Sequence, residues 1–241
     1  MHTTVCLRKW LSLPEIKRAI QNLIIPLFLL FSPGLNAADT ISYRFYMGKD
    51  TAFSSCIISK GEKGTIIKSD WLAETLFIKN ELMLDTSGVE LAWKSGNQRE
   101  GTQVTTVRLG DSLLLTGTYK KKPVTKSYAL KGVAWKQMIP FDLADFAFSN
   151  STFLVFVTVA LMGPYALKTA HMQAKRAGEE MISYKGKKTA AIHIRVSPSG
   201  IFAALWHGDY WFRKSDRVFI RSESTGMPGM PGAVMELTGK K

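Results

Sequence analysis

From residue 41 onward the chain alternates between apolar and polar positions in short runs. Residues 41–46 (ISYRFY), 53–59 and 64–67 are followed by 89–93 (VELAW), 104–109 (VTTVRL), 112–119 and 125–130. The runs are rich in β-branched and aromatic residues and too short for amphipathic helices, so each predicts a strand. Turn-forming residues separate them: Met47-Gly48, 60–64 (KGEKG), Ser87-Gly88, Ser95-Gly96-Asn97, Gly110-Asp111 and 120–123 (KKKP). A second series follows at 165–173, 180–184, 189–196, 201–207, 210–213, 218–223 and 233–237, with a Met-Pro-Gly-rich loop at 225–232. Short strands at this spacing predict a mainly β protein: an antiparallel curved sheet or open barrel.

Two segments depart from the alternation. Residues 71–79 suit either a long twisted strand or a helix, and strand is the reading adopted. Residues 153–162 are apolar apart from Thr158, with cap residues Asn150, Ser151 and Thr152 before them and Gly163-Pro164 after. The Val and Phe content also suits a buried strand, but the flanks predict one short central helix over 151–162, packed on the sheet.

The start of the chain follows a different logic. Arg8, Lys9, Lys17 and Arg18 precede an apolar run at 23–31 (LIIPLFLLF), then Ser32, Pro33, Gly34 and the small residues Ala37 and Ala38. This order is that of a secretory signal peptide, and the run is too short to span a bilayer as a helix. The expected organisation is a signal peptide at 1–37, cut after Ala37 or Ala38, and a single β-rich domain at 38–241 in the periplasm, with no transmembrane segment after cleavage. Only Cys56 would remain in that domain. It cannot form an internal disulfide, and its apolar run predicts a buried, inert thiol.

The chain carries a net charge of +13, and removing the leader's four cations and one glutamate leaves +10. Such a surface suits an anionic lipid or another anionic envelope component, while export argues against nucleic acid. The cations gather at expected turns: Lys120, Lys121 and Lys122; Lys185, Lys187 and Lys188; and Arg213, Lys214 and Arg217. The first six are the candidates for contact with an anionic surface.

Residues 205–221 (LWHGDYWFRKSDRVFIR), with Val234-Met-Glu-Leu237 beyond them and Tyr43-Arg-Phe-Tyr-Met-Gly48 near the start, resemble a family of exported bacterial proteins of unknown function. The resemblance implies an extracytoplasmic antiparallel sheet similar to the curved half-barrels of lipoprotein carriers. It supplies no catalytic residues.

Catalytic and metal motifs are missing from the sequence. His171, His193 and His207 lack helical metal spacing, and there is no CxxC, nucleophile elbow, phosphate loop or dinucleotide fingerprint. His207 and Asp209 lie two apart beside Trp206, Tyr210 and Trp211, which reads as an aromatic edge. His193 reads as surface, and Asp142, Asp145, Asp209 and Asp216 read as exposed carboxylates without a marked pair. No enzyme activity, metal or cofactor is expected. Trp206, Tyr210, Trp211, Arg213 and Lys214 are the candidate ligand-binding residues, an apolar groove rimmed by cations. The expectation is a binding or carrier module for a lipidic or other anionic envelope ligand. The alternative is an envelope interaction protein with a solid core and a basic docking surface.

Overall fold

The computed structural model describes residues 39–73, 77–161, 166–204, 206–226 and 231–240, and for residues 201 and 202 the backbone only. The expected leader and its cleavage point lie outside the described residues.

The described residues form one sheet of fifteen strands. The first eight are β1 (Asp39–Met47), β2 (Asp50–Gly61), β3 (Gly64–Leu72), β4 (Phe77–Leu84), β5 (Glu90–Asn97), β6 (Thr102–Leu109), β7 (Ser112–Tyr119) and β8 (Lys122–Ala129). After the short β9 (Ala134–Trp135) come β10 (Phe153–Ala160), β11 (Lys168–Tyr184), β12 (Lys187–Pro198), β13 (Gly208–Arg213), β14 (Phe219–Ser224) and β15 (Ala233–Lys240). Their order across the sheet is β8 back to β1, then β15 back to β9. Neighbours are antiparallel throughout, except that β9 runs parallel to β10. The mainly β, curved antiparallel sheet expected from the alternation is therefore the architecture found.

Period-two patterning accounts for the register. On β2, Ala52, Ser54 and Cys56 are buried while Phe53, Ser55 and Ile57 are exposed. Cys56 stands opposite Ile41 on β1 and Ser69 on β3, so all three point to one face. The same inner face continues through Ile67, Leu82 and Trp93, and on the other side through Tyr43, Leu237, Phe219, Phe212 and Ile192. These residues form one hydrophobic cluster.

A short helical segment packs on that face: a 3-10 turn at Phe141–Leu143 that continues into α1 (Ala144–Ala147). Phe141, Leu143, Phe146 and Ala147 are buried in the cluster, and the Phe141 ring meets Tyr43 at 5.5 Å and Phe219 at 6.2 Å. A single short helix on the sheet was expected, but at 151–162. There the chain is strand β10, paired along its whole length with β11. Val155, Val157, Thr158 and Val159 favour the extended backbone, and residues 150–152 lead into a strand instead of capping a helix. Residues 71–79 divide between the end of β3 and the start of β4, so one long strand is replaced by two. Residues 201–207 are no strand either: a 3-10 turn at Gly200–Ala204 precedes β13. Conversely, the separate strands expected at 165–173 and 180–184 merge into the 17-residue β11.

The sheet does not close into a barrel. β8 approaches the β10–β11 connection, where side chains bridge the gap. Tyr119 Oη donates to the Leu161 carbonyl (3.2 Å), and Tyr128 Oη (2.9 Å) and Lys126 Nζ (3.2 Å) donate to that of Leu167.

Candidate functional site

Because the strands form a meander, successive turns fall at alternate ends of the sheet. One end, where β1 begins and β15 finishes, carries the connections at 62–63, 85–89, 110–111, 130–133, 185–186 and 214–218. The β1–β2, β5–β6 and β7–β8 turns lie at the other. The basic clusters are thereby separated. Lys185, Lys187, Lys188, Lys214 and Arg217 belong to the first end, while Lys120, Lys121 and Lys122 sit at the second.

A cavity of about 530 Å³ opens at the first end, between the helical segment and strands β1–β4. Its floor is apolar: Ile41, Tyr43, Ile67, Phe141, Phe212 and Phe219. This volume lies in the range of small-molecule sites. The rim carries Lys60, Arg217 and Lys240 beside Asp39, Asp85, Asp145 and Asp216. Most of the rim carboxylates are already engaged. Asp85 accepts from the Ser87 hydroxyl (2.7 Å) and from the N–H groups of Ser87 (2.8 Å) and Val89 (3.0 Å). These bonds hold its carboxyl below the usual range. Asp216 is paired with Arg213 at 2.8 Å and Asp39 with Lys240 at 3.2 Å.

Asp142 stands on the cavity wall. It is only 7 % exposed, so the expectation of an exposed carboxylate there was wrong. The helical segment carries it onto the inner face, where Oδ2 accepts the N–H groups of Gln137 (2.7 Å) and Met138 (3.0 Å). Oδ1 has no hydrogen-bond partner among the described residues. Burial raises the Asp142 carboxyl above its ordinary range, against the opposing pull of Lys136 and those N–H groups. Nearby, Glu90 on β5 is 2 % exposed and bonded to Lys136 Nζ; burial pushes it up to about 7, with Lys136 opposing.

The five candidate ligand residues do not converge on this cavity. Tyr210 points inward and packs near Phe219, at 6.2 Å between ring centroids, and burial raises its phenol. Trp211 faces outward, stacks on His193 at 5.0 Å and donates to Glu180. Trp206 packs against the core before β13. Arg213 is paired with Asp216, and Lys214 with Glu179 at 2.6 Å. Their neighbours Phe212, Asp216, Arg217, Val218 and Phe219 line the cavity instead. Sequence reading passed over Phe141 and placed Asp142 at the surface. A carboxylate set directly between Phe141 and Leu143, just after Pro140, was the available signal.

His193, read as surface, is half-buried in an outer-face network. Its Nε2 lies 2.7 Å from Asp209 and its Nδ1 3.3 Å from Glu180; Asp209 also meets Arg195 at 2.8 Å and His207 at 3.5 Å. Burial would raise the Asp209 carboxyl, but the bonds from Arg195 and His193 leave it lowered overall. Among the described residues no group of three or more His, Cys, Asp or Glu side chains is placed to hold a metal, and no helix is long and apolar enough to cross a membrane. Cys56 is buried, and burial pushes its thiol up to about 12, which leaves it unreactive at neutral pH.

Fold and site together define a mainly β protein with an open, curled sheet and an internal cavity partly stoppered by a short helix. Neither a family model nor a curated protein matches the sequence. Among solved structures, a β-barrel-like protein of a domain of unknown function, DUF1849, from Brucella abortus is similar in fold. The TM-score is 0.60 at 9 % identity, over 85 % of this chain and 97 % of that one. The hypothetical lipoprotein YmcC from Escherichia coli aligns at TM-score 0.37 and 13 % identity, over 96 % of this chain and 98 % of that one. A DUF1329 family protein from Desulfovibrio piger aligns at 0.27 and 8 % identity, over 93 % and 92 %. The likeness to bacterial β proteins of unknown function expected from the C-terminal third is thus found. The first of these three supports the fold, and none supplies an activity.

Proposed function

We propose that the protein is a non-enzymatic binding or carrier module of the cell envelope, working in the periplasm, that holds an amphiphile in the cavity beside its helical segment. The observation that carries this reading is the apolar floor of Tyr43, Phe141, Phe212 and Phe219 opening at the end of the sheet where the larger group of basic turns lies. The turn chemistry supports it. Among the described residues six non-glycine residues have positive φ, and five are cationic: Lys120, Lys121, Lys131, Lys185 and Arg217. Glycine or asparagine serves such positions at less steric cost, so turn geometry alone does not account for the charge. Lysines near an anionic membrane contribute about 1 kcal/mol each, enough for reversible docking with the cavity mouth toward the lipid.

Two measurements test the proposal. Nile red should bind saturably to the purified protein, and Thr65→Trp, on the cavity wall, should abolish that binding without loss of fold by circular dichroism. The protein should also co-sediment with anionic but not neutral vesicles, and release in high salt. Replacing Lys185, Lys187 and Lys188 by Ser should weaken sedimentation more than the same change at Lys120, Lys121 and Lys122. Absence of saturable dye binding would instead favour the solid-cored docking protein.

A further inference from the structure

Strand β8 ends the sheet on one side, so one of its edges has no strand beside it. Its ladder to β7 fixes which backbone groups face that edge. The turn at Lys120 and Lys121 closes on the pair Tyr119–Lys122, and beyond the other end of the strand the Leu130 N–H donates to the Asp111 carbonyl at 2.8 Å. The even-numbered residues of β8 therefore bond to β7, while Pro123, Thr125, Ser127 and Ala129 turn their backbone groups outward. All four are exposed. Pro123 has no N–H, but Thr125, Ser127 and Ala129 offer a donor and an acceptor each, with no strand among the described residues to take them. The carbonyls of Leu161 and Leu167 stand across the opening, and they are reached only by the side chains of Tyr119, Lys126 and Tyr128.

An unpaired edge is a template for another strand, and its surroundings decide which strand. Residues 120–131 carry five exposed lysines, Lys120, Lys121, Lys122, Lys126 and Lys131, and no acid. The adjoining β7 carries no charge at all. Among the described residues none of the five lysines is paired with a carboxylate. Two copies of β8 laid edge to edge would bring these lysines together, so their charge opposes self-pairing. An acidic strand meets no such obstacle.

We propose that the free edge of β8 receives an extended acidic segment of a partner protein, which adds to the sheet as a further strand. The segment's main chain bonds to Thr125, Ser127 and Ala129, and its carboxylates face Lys126 and the lysines at both ends of β8. This gives a role to the cluster Lys120, Lys121 and Lys122, which lies at the opposite end of the sheet from the cavity mouth. It goes beyond the cavity reading and does not depend on it.

The test is fluorescence anisotropy of short labelled peptides titrated with the purified protein. A peptide of alternating glutamate and threonine should bind saturably. The same glutamates alternating with proline keep the charge but lose half of the backbone donors, and should bind at least roughly tenfold more weakly, the scale of one or two net hydrogen bonds. Alternating lysine and threonine should not bind. Ser127→Pro removes an N–H that faces the edge and leaves the ladder to β7 untouched; it should abolish binding of the glutamate–threonine peptide with the circular dichroism unchanged. Equal binding of the two acidic peptides would mean charge attraction alone, as for an anionic lipid surface, and overturns the inference. So does binding that survives Ser127→Pro, or absence of binding by either acidic peptide. Should Ser127→Pro fail to fold, the ranking of the three peptides on the unaltered protein still decides the matter.

Discussion

The two wings of the sheet are built from different materials. In the wing β10–β15 the inner face is aliphatic and aromatic: Phe156, Ile192, Ile194, Val196, Phe212 and Phe219. Its more exposed positions carry ion pairs such as Arg213–Asp216, Lys214–Glu179 and Arg195–Asp209. In the wing β2–β8 the inner face admits small polar residues, and Ser54, Ser69, Ser95, Asn97, Thr102 and Thr106 are all buried. Four buried polar atoms there, Ser54 Oγ, Ser69 Oγ, Trp93 Nε1 and Thr106 Oγ1, lack partners among the described residues. One wing is a tightly packed wall. The other gives up packing and hydrogen bonding where hydrocarbon would serve stability better. The cavity lies where the two meet.

The largest test of this contrast is truncation of the core. Phe212→Ala should cost about 3–5 kcal/mol in urea unfolding, as expected for a fully buried aromatic side chain. Ser69→Ala should be neutral or stabilising by up to about 1 kcal/mol, since it removes a buried hydroxyl without a partner. Comparable losses from both would mean that the polar wing is as well satisfied as the other.

Acid–base behaviour should differ in sign between carboxyls raised by burial and carboxyls held down by their bonds. Glu90, in the polar wing, is raised from 4.5 to about 7 in the fold. Its contribution to stability is complete below pH 4.5 and is lost as pH rises through about 7, because ionisation is harder in the folded state. Asp142 on the helical segment acts in the same direction. Asp209 and Asp216, in the apolar wing, are held below 3.8, Asp216 chiefly by the bond from Arg213. Their contribution is present above 3.8 and is lost in stronger acid. Unfolding midpoints should therefore fall between about pH 4.5 and 7, and Glu90→Gln should flatten that slope; an unchanged slope would remove Glu90 as its source.

The smallest effect belongs to the outer stitching. Lys214→Ala should cost below about 1 kcal/mol, because Lys214 and Glu179 are both well exposed. A larger loss would show that the ion pairs of this wing act as a network.

Alternation made most strands legible in advance, and with them the antiparallel sheet. Two things hid from it. The apolar run at 153–160 offers equal hydrophobicity to helix and strand, and its pairing with β11 decided the matter, a contact with the following strand that the run's own pattern does not contain. The actual helical segment at 141–147 is too short to display a period. The candidate site suffered from the same limit. Tryptophans and cations at 206–214 advertise themselves by composition, but each is directed by its strand face to core or solvent. The cavity is instead assembled from residues far apart in the chain, such as Ile41, Leu84, Phe141 and Phe219.

One pairing sets the molecule's order of assembly. Every other ladder joins strands consecutive in the sequence, whereas β1 is zipped to β15 in the middle of the sheet. A chain that emerges in a line, from a ribosome or through a membrane, must hold one edge of β1 unpaired until β15 arrives. Each wing is free to form as a local meander, and the join between them comes last and closes the longest loop. Lys240 and Asp39 lie in contact across that join. A permuted chain that linked them and opened between β8 and β9 would keep the same sheet with every ladder local, so the long wait is a property of where the chain is cut, not of the fold.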